Sequence, residues 1–311
     1  MADSHPSIGG LPLVLGGNVF GWTLDRDGSF EVLDAFYEAG GRMIDTAEGY
    51  TSFVPDNVGG ESETIIGEWM ELRGLRGDML IGTKTNMFGS PGGLAPEKVA
   101  SAMEGSLERL RSDYVELYYA HRDEEETPLD EITAGFDALV RSGKARELGA
   151  SNYAPERLVA TIEAARQAGR TPFTILQNEY NLIERSQFEE SFLEICTKYG
   201  VASLPYYGLA AGVLTGKYRT KADLEGKARG ASVERAGYLE RGLPVLAAMD
   251  ELVRETGANH AQIAIAWICA QPGIAAPIAS ATSLTQLADL VAAVSLKLDP
   301  AQIERLNNAG A

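Results

Sequence analysis

Cysteine, histidine and positive charge are all in short supply in this chain of 311 residues. The two cysteines, Cys196 and Cys269, are too few for a disulfide framework, and both fall in segments that read as helices, where buried apolar cysteine is the expectation. The three histidines, His5, His121 and His260, have no metal-ligand spacing, so no metal site is expected. Lys and Arg number 27 against 44 Asp and Glu, a net charge of -17, which argues against nucleic acid or an anionic membrane as partner. Apolar runs are too short to span a bilayer. The opening MADSHPSIGGLP lacks the basic start and apolar core of a signal peptide, so the expected compartment is the cytoplasm. A GxSxG elbow, a Walker loop and a GxGxxG following a strand are missing too, which removes the usual serine-hydrolase, P-loop and dinucleotide-fold signatures.

What the chain does have is alternation. Short apolar runs read as strands at 13–15, 42–46, 79–83, 115–120, 145–150, 173–176, 201–204 and 275–279. Between them lie helical patterns at 29–39, opened by Ser29, and at 61–70, 96–110, 128–141, 154–168 and 191–199, with a last one at 283–293. Eight strands alternating with helices predict an α/β fold, a (β/α)8 TIM barrel, and no linker-like stretch divides residues 1–311 into more than one domain. The length suits such a barrel, which takes roughly 250 residues plus insertions. Two stretches break the rhythm: Thr51–Gly60, and about forty residues that begin GLAAGVLTGKYR and run through KADLEGKARG. Loops of that kind at the carboxyl end of a barrel wall its site. The charge run Glu124–Glu126 reads as a solvated loop, and His260 as a helix cap or surface residue.

Four polar residues stand where strands end: Asp45 and Tyr50 in IDTAEGY, Lys84 in IGTK, and His121 in YYAH. In a barrel, strand ends of this polarity collect the catalytic groups. A tyrosine with an ordinary pKa of about 10 gives up its proton reluctantly, and a neighbouring ammonium is expected to lower that value. Lys84 is the source of that charge, Asp45 holds Lys84 charged and aimed, and Tyr50 becomes a general acid. His121, if neutral, hydrogen-bonds and orients a carbonyl oxygen. Each residue alone has a plain structural reading: Asp45 as a turn cap, Tyr50 as a loop aromatic, His121 as a satisfied core histidine.

IDTAEGY, GGESETIIG, IGTK, YYAH, GASNY and QNEYNL together resemble the aldo-keto reductase superfamily, from about Leu13 to the C-terminal helices. The resemblance implies a TIM barrel, an NADPH-dependent carbonyl reductase with a small-molecule carbonyl substrate, and a monomer or small homo-oligomer. It implies that Ser151, Asn152 and Gln177 hold a nicotinamide carboxamide and that Tyr206 stacks on the ring, although Ser151 and Asn152 also suit helix caps. It implies that Asn18 and the segment carrying Leu209 and Gly212 face the cofactor, with Lys217 and Arg229 in a locally basic stretch suited to its phosphates. Ser280, Thr282 and Gln286 correspond to the adenosine-phosphate segment. The family usually has Gly at Ser280 and Asn at Leu290, an Arg or Lys near Thr282 is absent, and Tyr207-Gly208 replaces a common Ser-Pro. NADH therefore stays open beside NADPH.

Trp22, Phe53 and Phe88 follow the first three strands and are the expected apolar wall for the substrate. Two other functions stay open: a cofactor-sensing partner subunit with little turnover, and an alcohol or sugar dehydrogenase running the reverse reaction.

Overall fold

The computed structural model describes residues 8–310, so the expectation for His5 lies outside the described residues. Eight strands form one parallel sheet: β1 (Val14–Gly16), β2 (Met43–Asp45), β3 (Leu80–Thr85), β4 (Val115–Ala120), β5 (Ala145–Ser151), β6 (Ile175–Gln177), β7 (Ala202–Ser203) and β8 (Ile278–Ala279). Their spatial order is β7-β6-β5-β4-β3-β2-β1-β8. The two ends of that order meet, because Ser203 N donates to Gly273 O and Ile278 N to Pro205 O. The result is a (β/α)8 barrel with no free edge.

The helices are α1 (Arg26–Glu38), α2 (Glu61–Arg73), α3 (Pro96–Leu110), α4 (Leu129–Arg141), α5 (Pro155–Gln167), α6 (Leu193–Tyr199), α7 (Gly230–Ala236), α8 (Tyr238–Thr256), α9 (His260–Cys269), α10 (Leu284–Ala293) and α11 (Pro300–Ala309). Several boundaries differ from the sequence reading. α1 starts earlier than Ser29, because Asp25 is the cap and accepts from Gly28 N, while Ser29 Oγ turns back to Asp25 O. Gly74 in the left-handed region ends α2 at Arg73, one turn beyond the expected limit. A π-helical turn at Phe188–Phe192 leads into α6. The long stretch after β7 is a loop only in its first part, since α7 and the start of α8 fill the rest.

Two apolar layers follow from strand alternation. Outward residues such as Ile44, Ile81, Tyr118 and Leu148 pack against the helices together with Phe36, Trp69 and Trp267. Burying side chains of that size stabilises the fold by about 1.5–3 kcal/mol each. The indole nitrogens are satisfied: Trp69 Nε1 donates to Asp34 at 2.7 Å, tying α2 to α1, and Trp267 Nε1 to Asn307 at 2.8 Å, tying α9 to α11.

Inward residues Val14, Met43, Leu117, Tyr119, Ile175, Leu204 and Ile278 fill the barrel. Two residues further along the same strands, on the same face, come Gly16, Asp45, His121, Gln177, Tyr206 and Ser280. Thus the apolar plug ends where the polar candidates begin. Gly149 on β5 has to be glycine, because a Cβ there would come within 2.4 Å of the Tyr119 ring.

Candidate active site

Lys84 is fully buried, and its ammonium spends all three protons inside the barrel mouth. Nζ lies 2.7 Å from Asp45 Oδ2, 2.7 Å from Thr46 O and 2.7 Å from Tyr50 Oη. Tyr50 sits in the turn after β2, with its N–H on Ala47 O, and its hydroxyl donates to Asp45 Oδ2 at 3.1 Å. The other Asp45 oxygen accepts from Gln177 Nε2 at 2.8 Å, so one carboxylate links β2, β3 and β6 across the barrel. His121, directly after β4, meets the Tyr50 ring edge-on, with centroids 5.8 Å apart and planes at 76°. Its Nδ1 is buried and has no partner among the described residues.

The electrostatics differ from expectation at one point. The Tyr50 phenol is pushed well above its ordinary value rather than lowered. Burial is the main cause, followed by the Asp45 charge and the hydrogen bond to Asp45, both of which favour the protonated phenol. Asp45 meets Lys84 directly, so its charge offsets the ammonium seen by Tyr50. The Lys84 ammonium is itself lowered by burial, against the opposing pull of Asp45 and Glu63. His121 is held well below its ordinary value by burial, then by Lys84 and Arg122, and is neutral near pH 7.

The supports were largely hidden in the sequence. In GGESE, Glu61 accepts from Val58 N at 2.7 Å, from Gly59 N and from Thr51 Oγ1, folding the 51–60 loop onto the start of α2. Ser62 Oγ donates to Gly17 O and accepts from Thr46 Oγ1, joining the ends of β1 and β2. Glu63, buried, takes Thr83 Oγ1 and Arg109 Nε. The available signal was the acidic first turn of a helix directly after two glycines. Glu124 corrects the solvated-loop reading: it is buried and accepts backbone N–H groups of Gly92, Leu94, Glu126 and Thr127. Burial raises its carboxyl, but those hydrogen bonds outweigh burial and leave it lowered.

The remaining candidates ring the same mouth. Ser151 ends β5 and Asn152 follows in the left-handed region at φ +53°. Neither caps α5, whose cap position is Ala154 with no side-chain bond. Asn152 Nδ2 donates to His121 O and Ser151 Oγ, and Asn152 Oδ1 accepts from Tyr206 Oη at 2.8 Å. This joins the ends of β4, β5 and β7. Beyond Tyr206 the chain turns left-handed at Tyr207, Ala210, Ala211 and Gly212, while Leu209 O accepts from Gly212 N and Leu214 N. Successive N–H groups in such a turn form a concavity suited to an anion.

The basic stretch divides. Arg219 pairs with Asp250 and Lys221 with Glu240. His260 also bonds Asp250, at 2.7 Å, and the cap of α9 is Asn259, not His260. Among the described residues, Lys217 and Arg229 have no carboxylate partner; both are lowered, first by burial. A largely covered Arg229 without a counter-charge, 5.9 Å from the Trp22 ring centroid, fits an anionic group such as a cofactor phosphate. On the β8 side, Ser280 Oγ donates to Asn18 Oδ1 at 2.6 Å. Gln286 Oε1 accepts from Thr282 N and Oγ1 beside the start of α10. Trp22 and Phe53 touch edge to face at 5.3 Å, and Phe53 and Phe88 are exposed.

A barrel whose mouth assembles an Asp, a Tyr, a Lys and a His beside an anion-suited loop defines a class, that of the NAD(P)H-dependent oxidoreductases. The chain belongs to the aldo/keto reductase family, whose model matches residues 12–311. It is 32% identical to the uncharacterized oxidoreductase YrpG of Bacillus subtilis (strain 168), over 95% of this chain and 91% of that protein. It is 31% identical to an aryl-alcohol dehydrogenase [NADP(+)] of Phanerodontia chrysosporium, over 92% of this chain and 77% of that one. A protein of Oryza sativa subsp. japonica named "Probable voltage-gated potassium channel subunit beta" is 29% identical over 89% of this chain and 85% of its own length. Among the described residues no helix is long and apolar enough to cross a membrane.

Proposed function

We propose that this protein reduces an aldehyde or ketone to the alcohol with NADPH, using Tyr50 as proton donor. When bound, the nicotinamide supplies the hydride that the carbonyl carbon receives. Ser151, Asn152, Gln177 and Tyr206 are the residues that hold its amide and ring. Asn18, Leu209, Gly212, Lys217, Arg229, Ser280, Thr282 and Gln286 hold the remainder. The observation that carries the reading is the position of Lys84 Nζ, 2.7 Å from both Tyr50 Oη and Asp45 Oδ2.

The chemistry runs through those contacts. A phenol pushed up by burial and by Asp45 stays protonated near pH 7, the state a proton donor needs. Its hydroxyl, which donates to Asp45 Oδ2 at 3.1 Å, turns to give its proton to the carbonyl oxygen once that oxygen takes up charge. The phenolate left behind keeps its bond from Lys84, which becomes charge-assisted as the charge forms. Neutral His121 orients the same oxygen, and Trp22, Phe53 and Phe88 line the approach. The protonated product alcohol and the oxidised cofactor balance the step, and the reverse oxidation uses the same groups.

The test is NADPH consumption, followed by absorbance, with a panel of aldehydes, ketones and keto-sugars, beside Tyr50→Phe. Consumption by the native protein and its loss in the variant is the expected result; near-normal turnover without the phenol overthrows the assignment. The likeness to a channel β subunit supports a second reading, a cofactor-binding partner subunit with little turnover. Tight NADPH binding without consumption of any carbonyl would favour it.

A further inference from the structure

The chain carries a net charge of -17, yet three cations in the segments that follow β4 and β7, Arg122, Lys217 and Arg229, have no carboxylate partner among the described residues. Lys217 and Arg229 lie on the β7 side, where the cofactor phosphates account for them. Arg122, on the opposite side directly after His121, has no such assignment. Among the described residues it pairs with no carboxylate, and its side chain makes one hydrogen bond, from Nε to Met87 O at 3.4 Å. A guanidinium has five N–H donors, so four remain. The residue is exposed.

Its stem is nonetheless held. A Cβ at Gly89 would come within 2.6 Å of Arg122 Cδ and 3.1 Å of Cγ, so the Met87–Gly89 backbone lies against the side chain. Asn86 Nδ2 fixes the Arg122 carbonyl at 3.3 Å. The Arg122 charge acts on two groups at the strand ends: it helps keep His121 neutral, after burial and Lys84, and it opposes the rise that burial causes in the Tyr206 hydroxyl. Phe88, in that same Met87–Gly89 segment, is exposed.

We propose that Arg122 anchors an acidic group on the substrate, so that the preferred carbonyl compound carries a carboxylate across a flat apolar spacer that rests on Phe88. This rests on the reading of Tyr50 and His121 as the carbonyl site. A guanidinium fork takes both oxygens of a carboxylate at once, whereas an ester offers it no charge. The anchor also counters, locally, the repulsion that so acidic a chain exerts on an anionic substrate.

The test compares 4-carboxybenzaldehyde with its methyl ester by steady-state kinetics on the native protein, Arg122→Gln and Arg122→Lys, with NADPH saturating. The native protein should favour the acid over the ester by about tenfold in kcat/KM, chiefly through KM, and the preference should shrink as salt is raised. Arg122→Gln should bring the ratio near one, and Arg122→Lys should keep part of it. Equal kcat/KM for acid and ester in the native protein would overturn the proposal, as would a loss in Arg122→Gln that falls equally on both. Calorimetric titration of terephthalate into the NADPH-loaded protein separates this from failure of the carbonyl-reduction reading. If neither aldehyde is turned over, terephthalate binding lost in Arg122→Gln still supports the anchor, and binding unchanged in the variant rejects it.

Discussion

Lys84 Nζ and Tyr50 Oη are 2.7 Å apart, and the lysine is the donor of that bond. In the resting arrangement the phenol proton points to Asp45, so the lysine bond is the one that strengthens when Oη becomes negative. Replacing Lys84 by Met should therefore lower kcat by roughly a hundred- to a thousandfold, the usual effect of removing one donor from a developing oxyanion. NADPH affinity should stay within a few-fold, since the lysine's three bonds are all to Asp45, Thr46 and Tyr50. Single-turnover kinetics with fluorescence titration of the cofactor checks both. A kcat within threefold of native would remove Lys84 from the reaction.

The same lysine makes a second prediction, about stability. Lys84 and Asp45 form an ion pair with side chains 0% and 2% exposed, deep enough that losing one partner strands the other. Lys84→Met should cost about 3–5 kcal/mol, because Asp45 keeps only Gln177 and Tyr50 as donors. Combining it with Asp45→Asn removes the stranded charge and should recover part of that loss without restoring activity. Denaturant midpoints of the two single variants and the double variant decide it. A double variant no more stable than Lys84→Met alone would show that the pair is not coupled in this way.

The barrel and this cluster were legible because strand alternation writes them directly into the chain. IDTAEGY, IGTK and YYAH each place a polar residue at or just past the end of an apolar strand, and Asp45, Lys84 and His121 fall on the inward face. The supports were not legible, because their partners are distant in sequence. Glu63 meets Arg109 and Glu124 meets Gly92, pairings that no local pattern carries. The direction of the Tyr50 shift was misread for a related reason: the sequence names Lys84 and Asp45 but shows neither the burial of the phenol nor its own hydrogen bond to Asp45. The helices α7 and α8 were obscured by the glycines and charges of the loop that precedes them, whereas the helical reading around His260 and Cys269 matches α9.

Thr282 and Gln286 bear on cofactor choice. Gln286 Oε1 holds Thr282 N at 3.0 Å and Thr282 Oγ1 at 3.1 Å at the start of α10. Both donors point to the helix end, where the dipole favours an anion, and an anion there would take the place of the glutamine oxygen. If this is where a 2′-phosphate binds, Thr282→Val should weaken NADPH by about tenfold and NADH by less than twofold. Dissociation constants for both cofactors, measured side by side, are the check. Equal weakening of the two would rule out a phosphate contact at Thr282.

Glu179 gives a pH dependence with a definite sign. It follows β6, one of its oxygens is buried with no partner among the described residues, and its carboxyl is pushed up to about 7, first by burial and then by the charge of Glu184. Arg241 opposes the shift only in part, because it is already bonded to Glu184 at 2.9 Å and to Ile183 O at 2.8 Å. In the unfolded chain the same group has its ordinary value of 4.5. Between those two values the folded protein holds a proton that the unfolded chain has released. This contribution to stability is therefore fully present below about pH 4.5 and is lost as pH rises through about 7. Glu179→Gln cannot ionise, so it should gain on the native protein across that window. After allowance for partial exposure, the gain is on the order of 1 kcal/mol, or roughly 2 °C in Tm. Melting curves of both proteins from pH 5 to pH 8 measure it, and because every other titrating group is shared, only the difference between the curves matters. Parallel curves would mean that Glu179 ionises in the fold as easily as in the open chain.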